Sequence, residues 1–357
     1  MRQCRATRVH GGALSLAERA VGCLLGGAVG DAFGYAVEFD RLDRIRSRFG
    51  PDGIHQPVLT GGSLVVSDDT QMTLFTLEGL ITALQAANEV GEDDLVGHLR
   101  EAYLDWLDTQ QRRSSDRELF GQLGREPALR VSRAPGHTCL SALSRGGDGD
   151  PGRPINDSKG CGAVMRVAPI GLFPRRFGPE EAFRLAARAG ALTHGHPSGY
   201  LSAGALAAIV RLLADGLDLD AAARHACTIL STWDAHQETR AAIMNALNVA
   251  ARRTATHSEA VRSLGEGWVG EEALAIGLYA ALSATSFADA VRIAANHDGD
   301  SDSTASIAGQ LWGAWHGLES IPHEWILDLD VLQPSLRLVR CWLRQLGDDE
   351  AAHARPR

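Results

Sequence analysis

Residues 296–304 read Asn-His-Asp-Gly-Asp-Ser-Asp-Ser-Thr, and a run of small residues follows from Ala305 to Gly317. The run predicts a helix that begins at the acidic segment, where one carboxylate would suffice to cap the free backbone N–H groups. Asp298, Asp300 and Asp302 repel one another at alternate positions, and such crowding usually needs a bound cation to offset it. Hard oxygen ligands suit magnesium, manganese or calcium rather than zinc. The segment therefore predicts a metal site at a helix start.

Two other metal motifs fit part of this segment. The three aspartates occupy positions one, three and five of an EF-hand loop, but position six is Ser303 instead of glycine and position twelve is Gly309 instead of glutamate. The EF-hand is therefore excluded. The pair His297-Asp298 would satisfy a metal phosphohydrolase signature, and this alternative stays open.

A second acidic segment lies far upstream, at Ser67-Asp68-Asp69-Thr70. It also precedes a predicted helix, which runs from about Gln71 to Ala87. Two helix starts rich in carboxylate and hydroxyl oxygens can face one cavity and hold two metal ions about 4 Å apart. The pair of segments therefore favours a dinuclear centre over simple helix capping.

Composition indicates a soluble globular protein of one domain. The chain has 357 residues, 45% of them hydrophobic and 22% charged, and a formal net charge of −9. This charge argues against sequence-independent binding of nucleic acid. The six cysteines show no zinc spacing, which predicts free thiols in a reducing cytoplasm. The apolar run from Ala20 to Gly30 is too short to span a membrane. We therefore expect a cytoplasmic monomer without a membrane segment.

The N-terminal part of the chain predicts a closely packed helix. Residues 1–13 have no periodicity and predict a loose tail, after which Ser15 and Glu18 form a capping box. Glycines then recur every four residues, which places them on one helix face at a cost of about 1 kcal/mol each. Close backbone packing must offset that cost. The glycines are Gly22, Gly26, Gly30 and Gly34.

The segments that follow predict loops around a site. Glu38 lies between two apolar residues, and its carboxylate either points into the metal cavity or lies on the surface. Residues 40–66 predict a long loop, and residues 111–154 a mobile flap beside the site. A glycine-rich stretch from Asn156 to Arg166 can turn its backbone N–H groups toward a diphosphate, although a plain turn is the simpler interpretation of this pattern alone.

The remaining sequence predicts helices. His194 is interpreted as a substrate contact and His196 as a helix-start residue before an apolar helix from Leu201 to Ala214. Trp268 is interpreted as core or cavity wall. A last helix is predicted from Arg337 to Leu346, and no alternation is long enough for a β-sheet. We therefore predict an all-α fold, with one domain over residues 14–346 and a frayed tail over 347–357.

Five motifs in this order resemble the ADP-ribosylglycohydrolase family, whose members include dinitrogenase reductase-activating glycohydrolase and the ADP-ribosyl-acceptor hydrolases. The resemblance implies a compact orthogonal helical bundle with two magnesium or manganese ions in a central cleft. Serine stands at 67, 301 and 303 where threonine is common, and Asp298 replaces a usual glycine. The motifs are Gly30-Asp31-Ala32-x-Gly34-x-x-x-Glu38, Ser67-Asp68-Asp69-Thr70, Gly160-Cys161-Gly162-Ala163-Val164-Met165-Arg166, Thr193-His194 and Gly299-Asp300-Ser301-Asp302-Ser303.

The resemblance also implies a role for each matching residue. Catalytic roles fall on Glu38, Asp69 and Asp302. The implied metal ligands are Ser67, Asp68, Asp69, Asp300, Asp302 and Ser303. The implied substrate contacts are Asp68, Lys159, Gly160, Cys161, Gly162, Ala163, Val164, Met165, Arg166 and His194. Lys159 is also the only lysine in the chain.

The implied activity is hydrolysis of the glycosidic bond between C1″ of ADP-ribose and an acceptor on a protein or a nucleic acid. Three alternatives remain: a hydrolase of a small ADP-ribose conjugate, a non-catalytic crystallin-like member of the family, and the metal phosphohydrolase. The sequence leaves open whether the acceptor is arginine, serine, a nucleobase or a metabolite.

Overall fold

The computed structural model describes residues 14–86, 91–111, 117–173, 177–252 and 255–353, with the backbone alone for 346–353. The described residues form α-helices, four short 3-10 helices and a few isolated β-bridges, but no β-strand. The all-α prediction is confirmed. The predicted tail at 1–13 lies outside the described residues. The α-helices are α1 Leu16–Tyr35, α2 Leu42–Phe49, α3 Asp68–Ala86, α4 Glu92–Gln110, α5 His137–Ser144, α6 Ala168–Gly171, α7 Pro179–Ala191, α8 Pro197–Ala214, α9 Leu219–Leu230, α10 Gln237–Arg252, α11 His257–Leu264, α12 Gly270–Ser283, α13 Phe287–Ala295, α14 Ser301–His316, α15 His323–Leu327 and α16 Leu332–His353.

Helices α1 and α14 pack backbone against backbone. A Cβ atom placed on Gly22 would lie 2.5 Å from the carbonyl oxygen of Gly313, and one on Gly26 would lie 2.5 Å from that of Gly309. Gly30 and Gly34 meet the backbone of α14 in the same way, at residues 305 and 301. The glycine spacing is thus explained by this contact, and the seam between the helices fixes where α14 begins.

The two acidic segments form the first turns of their helices. We predicted helices from about Gln71 and from Ala305, but α3 begins at Asp68 and α14 at Ser301. Carboxylates in a first turn interact favourably with the helix dipole, so the acidic residues belong to the helices. The main site aspartates are therefore held on rigid elements.

The predicted loop at 40–66 is wrong in part, because α2 forms within it. Leu42 and Ile45 are buried while the arginines of α2 face solvent, an amphipathic pattern too short to stand out locally. Distant side chains also support this segment, since Leu42 N–H donates to Asp298 Oδ1 at 2.7 Å. Helix formation here therefore depends on a tertiary contact.

The ends of the remaining predicted helices are also shifted. Helix α8 begins at Pro197, and the Nδ1 atom of His196 accepts the backbone N–H of Ser198, which confirms that His196 is a helix-start residue. Helix α16 runs from Leu332 to His353, well beyond the predicted Arg337 to Leu346. It thus extends into the segment 347–357 that the sequence assigned to a tail.

One helix in the described part of the chain, α8, is long and apolar enough to cross a membrane. In the folded protein 94% of it is buried. It packs against α7, α9 and α12, and its side chains belong to the continuous apolar core. Burial of this kind marks the central helix of a globular fold.

Candidate active site and metal centre

The starts of α3 and α14 meet the C-terminal end of α1 at a cleft of about 210 Å³. The acidic residues reach this cleft because the first turns of α3 and α14 both border it. The cleft is bordered by carboxylates, by the glycine-rich loop, by part of the predicted flap and by one indole ring. The lining residues include Glu38, Asp68, Asp69, Asp300, Ser303, Ala134, Gly136, His137, Thr138, Cys139, Gly160, Cys161, Gly162, Met165, His194 and Trp268.

Three carboxylates form the centre of the acidic group. One oxygen from each of Glu38, Asp300 and Asp302 lies within 4.8 Å of the other two. All three side chains are buried, and Glu38 is only 7% exposed. The two distant acidic segments also interact, because Asp302 lies close enough to raise the pKa values of Asp68 and Asp69. The predicted meeting of these segments is therefore observed.

Burial and mutual repulsion oppose ionisation of these groups. Burial, followed by the charge of Asp302, raises the pKa of Glu38 to about 9 and that of Asp31 to about 7. The same two causes raise the pKa values of Asp68, Asp69 and Asp300 well above their ordinary range. Without a compensating positive charge, the cluster therefore holds protons near neutral pH.

The donor set of this cluster fits a divalent cation. Glu38 Oε2 and Asp69 Oδ2 are buried and have no hydrogen-bond partner in the described structure. A buried carboxylate oxygen without a partner is costly, and a hard cation would satisfy it. Together with the close oxygens of Asp300 and Asp302, these atoms supply the ligands that magnesium and manganese prefer.

Side chains at the two helix starts bond neighbouring backbone N–H groups. Ser67 Oγ accepts the backbone N–H of Asp69 at 3.1 Å. On α14, Asp302 Oδ1 accepts the N–H of Ser303 at 2.9 Å, and the side chain of Ser303 lines the cleft. Asp68 Oδ2 accepts the N–H of Gly136 at 3.2 Å, which fastens the predicted flap segment to the acidic centre.

Asp31 belongs to a motif noted in the sequence, but no role was predicted for it. The structure places it beside the site. It lies inside α1 and is fully buried, yet its carboxylate accepts the backbone N–H groups of Ser67 and Thr70. It thus caps α3 from a neighbouring helix. The available signal was an aspartate within an apolar, glycine-rich helix, since a charge that becomes buried there needs a partner.

The polar side chains of the segment 296–302 fall into two groups, one that bonds neighbouring segments and one that joins the acidic cluster. Asn296 and Asp298 point away from the acidic centre, where Asn296 bonds both the N–H and the carbonyl of Ile54 and Asp298 caps α2. Asp300 and Asp302 contribute to the cluster. The effect of Asp298, which the sequence left open, is therefore to fasten the segment that follows Glu38.

The glycine-rich loop lies against the cleft with little space to spare. A Cβ atom on Gly162 would lie 2.8 Å from Cys139 Sγ and 3.1 Å from His194 Cε1. Cys161 Sγ donates to Asp300 Oδ2 at 2.7 Å. The Cys161 N–H bonds the carbonyl of Trp268 at 3.2 Å, so the loop is joined to the segment that carries this indole. Trp268 is a cleft wall, 43% exposed.

Six of the proposed site residues do not line the cleft. Lys159 Nζ is paired with Glu238 and Glu271, on α10 and α12. Arg166 is fully buried, with its guanidinium over the ring of Tyr103 at 4.3 Å. The other four are buried beside the cleft residues: Ser67, Ala163, Val164 and Asp302.

Two helix starts that carry buried carboxylates to one cleft form the candidate active site of this all-α protein. The model of the ADP-ribosylglycohydrolase family matches residues 13–357, and the chain belongs to this family. It is an ADP-ribosyl glycohydrolase, an enzyme that hydrolyses the bond between ADP-ribose and an acceptor.

Two named relatives align over most of the chain. The ADP-ribosylarginine hydrolase Tri1 of Pseudomonas putida (strain GB-1) is 27% identical over 311 residues, which cover 87% of this chain and 73% of the relative. The ADP-ribosyl-[dinitrogen reductase] glycohydrolase of Rhodospirillum rubrum is 26% identical over 325 residues, covering 89% of this chain and 92% of the relative. The alignments therefore include both acidic segments.

A solved structure shares the fold. It is described as an ADP-ribosylglycohydrolase-related protein complex and superposes with a TM-score of 0.63 at 24% sequence identity. The match covers 93% of this chain and 99% of the other. At this identity the likeness establishes the helical architecture.

Proposed function

We propose that this enzyme uses two divalent cations, Mg²⁺ or Mn²⁺, to remove ADP-ribose from modified protein side chains, with arginine as the first acceptor. The observation that carries the cation requirement is the close approach of the Glu38, Asp300 and Asp302 oxygens, within 4.8 Å of one another. Three buried carboxylates at this separation are tolerated when positive charge lies among them.

The proposed ligands lie in the first turns of α3 and α14 and at the residue that precedes each helix. A divalent cation bound there would supply Lewis-acid chemistry and would offset the negative charge of the carboxylates. The unpartnered oxygen of Asp69 supports its inclusion. The proposed ligand set is Ser67, Asp68, Asp69, Asp300, Asp302 and Ser303.

The protein groups perform the remaining steps. Glu38 Oε2 is unpartnered and borders the cleft, so it can accept the proton of the attacking water once cationic charge keeps the carboxylate ionised. Asp69 and Asp302 are the proposed neighbours of the reacting ribose, where negative charge stabilises an oxocarbenium-like transition state. The loop at 160–162 and His194 border the same cleft and would hold the diphosphate and the distal ribose.

Arginine is the favoured acceptor because one aligned relative is named an ADP-ribosylarginine hydrolase. Serine, a nucleobase or a small ADP-ribose conjugate are the other acceptors to compare. The net charge of −9 disfavours a nucleic-acid substrate held through a basic surface. We further propose a monomer in the cytoplasm, a reducing compartment that suits the free thiols of the described cysteines.

The deciding experiment is to incubate the purified protein with arginine-linked, serine-linked and DNA-linked ADP-ribose, each with and without a chelator. We expect release of ADP-ribose from the arginine conjugate, its loss with the chelator and its recovery with Mg²⁺ or Mn²⁺. Asp302→Ala should abolish release while the circular dichroism spectrum stays unchanged. Full turnover by this variant with cation bound would refute the proposed centre.

The metal phosphohydrolase alternative has less support. His297 Nε2 is bonded to Thr304 Oγ1 at 3.0 Å, and Asp298 is engaged by the N–H of Leu42. Burial lowers the pKa of His297 to about 4, which suits a neutral core histidine. Phosphate release from nucleotides would favour this alternative. A crystallin-like protein without activity would bind ADP-ribose without turnover, and the intact acidic cluster argues against it.

A further inference from the structure

His194 is the imidazole of the cleft wall, and its two ring nitrogens have different surroundings. Nδ1 lies 2.8 Å from Thr193 Oγ1. Nε2 faces the glycine-rich loop, since a Cβ atom on Gly160 or Gly162 would lie 3.4 or 3.3 Å from it. In the described part of the chain no residue is hydrogen-bonded to Nε2. This nitrogen is therefore the one available to a ligand in the cleft.

The hydroxyl of Thr193 is itself fixed by Arg166. Arg166 Nη2 donates to Thr193 Oγ1 at 2.9 Å and to the carbonyl of Ala189 at 3.1 Å. Because a guanidinium only donates, Thr193 Oγ1 must accept this bond, and the hydroxyl proton remains to be donated elsewhere.

Three acceptors are near that proton. His194 Nδ1 lies at 2.8 Å and the carbonyl oxygen of Gly190 at 3.4 Å. The third is Cys139 Sγ, which also interacts with the Thr193 hydroxyl but is only a weak acceptor. The Gly190 oxygen already accepts the backbone N–H groups of Thr193 and His194, at 3.1 and 3.0 Å. Its lone pairs are occupied, so the shorter bond to Nδ1 is favoured. Nδ1 is then an acceptor, and the ring proton of neutral His194 lies on Nε2.

Arg166 cannot easily leave this position. It is fully buried, its guanidinium stacks on Tyr103, and Nη1 contacts Cys139 Sγ at 3.3 Å. Its charge also keeps the ring neutral, because burial and then Arg166 lower the pKa of His194 to about 3. A buried arginine so held is a fixed structural support.

We propose that Arg166 is a positioning residue that acts through the Thr193 hydroxyl to hold His194 as the neutral tautomer protonated at Nε2. The ring then donates a fixed hydrogen bond to an oxygen of ADP-ribose in the cleft. The second part rests on the proposed function, whereas the tautomer is a property of the free protein and can be measured separately.

The first experiment measures the tautomer by long-range ¹H–¹⁵N correlation in histidine-labelled protein without ligand. We expect His194 Nδ1 to give the signal of an unprotonated nitrogen and Nε2 that of a protonated one. In Thr193→Val the donor to Nδ1 is lost, so the two tautomers should mix, and Thr193→Ser should restore one. A protonated Nδ1 in the native protein, or an unchanged spectrum in Thr193→Val, would overturn the proposal.

The second experiment measures the affinity for ADP-ribose by calorimetry. Loss of one oriented hydrogen bond should raise the Kd about tenfold in Thr193→Val, with recovery in Thr193→Ser. Thr239→Val is the matched control, because Thr239 is also buried but its hydroxyl has no partner in the described structure, and its Kd should not change. A mixed tautomer with an unchanged Kd would disprove the contact to ADP-ribose and leave the glycohydrolase activity untouched.

Arg166→Gln tests the arginine itself. The variant should show mixed tautomers like Thr193→Val, provided that it folds. If it does not fold, the Thr193 variants still decide the proposal, because the hydroxyl transmits the effect.

Discussion

Asp31, near the C-terminal end of α1, caps the start of α3 by accepting the backbone N–H of Ser67 at 3.0 and 3.1 Å with its two carboxylate oxygens. The same carboxylate accepts the N–H of Thr70 at 3.0 Å. The helix that carries Asp68 and Asp69 is therefore placed by a residue more than thirty positions away. The acidic centre is thus assembled by three helices, two of which also share the glycine seam.

Asp31→Asn should weaken both the fold and cation binding. The amide has one acceptor oxygen where the carboxylate has two, so we expect the free energy of unfolding to fall by about 1–3 kcal/mol. The cation affinity should fall as well, since α3 loses its cap. Urea unfolding and calorimetry with Mn²⁺ measure the two effects.

Asp105→Asn is the matched control for this change. Asp105 is fully buried and accepts the N–H groups of Phe120 and Gly121 at 3.1 and 2.7 Å. The Asp105→Asn variant should lower the free energy of unfolding about as much as Asp31→Asn does. Its Kd for Mn²⁺ should not change. Equal effects of the two variants on cation binding would show that Asp31 has no special role.

Alanine in the glycine seam should destabilise the protein. In Gly26→Ala the new methyl group would lie 2.5 Å from the carbonyl oxygen of Gly309, and neither backbone can easily move. We expect a loss of at least about 1–3 kcal/mol in the free energy of unfolding. Gly97→Ala in α4 is the control, because no atom lies within 4 Å of its Cβ position. That variant should gain about 0.5–1 kcal/mol. A neutral Gly26→Ala would contradict the close contact.

In the presence of a chelator, the thermal stability of the cation-free protein should fall as the pH rises. A carboxyl with a raised folded-state pKa stabilises the fold fully below its unfolded pKa, and this contribution is lost as the pH passes the folded value. For Glu38 the window extends from 4.5 to about 9, and for Asp31 from 3.8 to about 7. We therefore expect the Tm in chelator to fall by at least about 2 °C between neutral pH and pH about 9.5.

Added Mg²⁺ and the substitution Glu38→Gln should each reduce this dependence of the Tm on pH. Saturating Mg²⁺ supplies the positive charge that keeps the carboxylates ionised, so the Tm should then vary little over the same range. Glu38→Gln should flatten the curve in chelator, because the amide does not titrate. A flat curve for the native protein in chelator would show that the carboxylates do not repel one another as described.

Variants of Asp298 should test whether its hydrogen bond with the Leu42 N–H holds the segment of Glu38 in place. Asp298→Ala removes the acceptor for the N–H of Leu42 and should lower kcat about tenfold through displacement of the Glu38 segment. Asp298→Asn retains a good acceptor for a helix start and should preserve kcat. Exposed Asp43, in the first turn of α2, supplies the control Asp43→Ala, with unchanged kcat expected. Failure of asparagine to substitute would indicate that the charge of Asp298 matters more than its hydrogen bond.

Local patterns in the sequence predicted those features that depend on residues close together in the chain. The capping box of Ser15 and Glu18 is present, with the Ser15 N–H donating to Glu18 Oε2 at 2.7 Å. The glycine spacing of α1 predicted a close contact because four-residue spacing lies on one helix face. The acidic segments at 67–70 and 300–303 predicted helix starts and a shared cleft, and the structure contains both.

Roles that depend on distant partners were not available from the sequence. Lys159 stands in a glycine-rich stretch typical of an anion site, but its partners Glu238 and Glu271 are 79 and 112 residues away. Asp298 looked like one more acidic ligand, although its carboxylate is engaged by a helix start 256 residues upstream. In both cases the local context is the same whether the side chain faces a ligand or another helix. Only the packing of helices separates the two outcomes.

The seam between α1 and α14 also limits how this enzyme can evolve. Because carbonyl oxygens face glycines along its length, deleting one residue from either helix would turn everything beyond it by about 100° and raise a clash at each crossing point. Neither Asp31 nor Asp302 can then be moved by gradual change. A change of acceptor would then have to be accommodated in the segments at the cleft wall, such as those carrying Ala134 and Trp268, and not in the helices that hold the acidic centre.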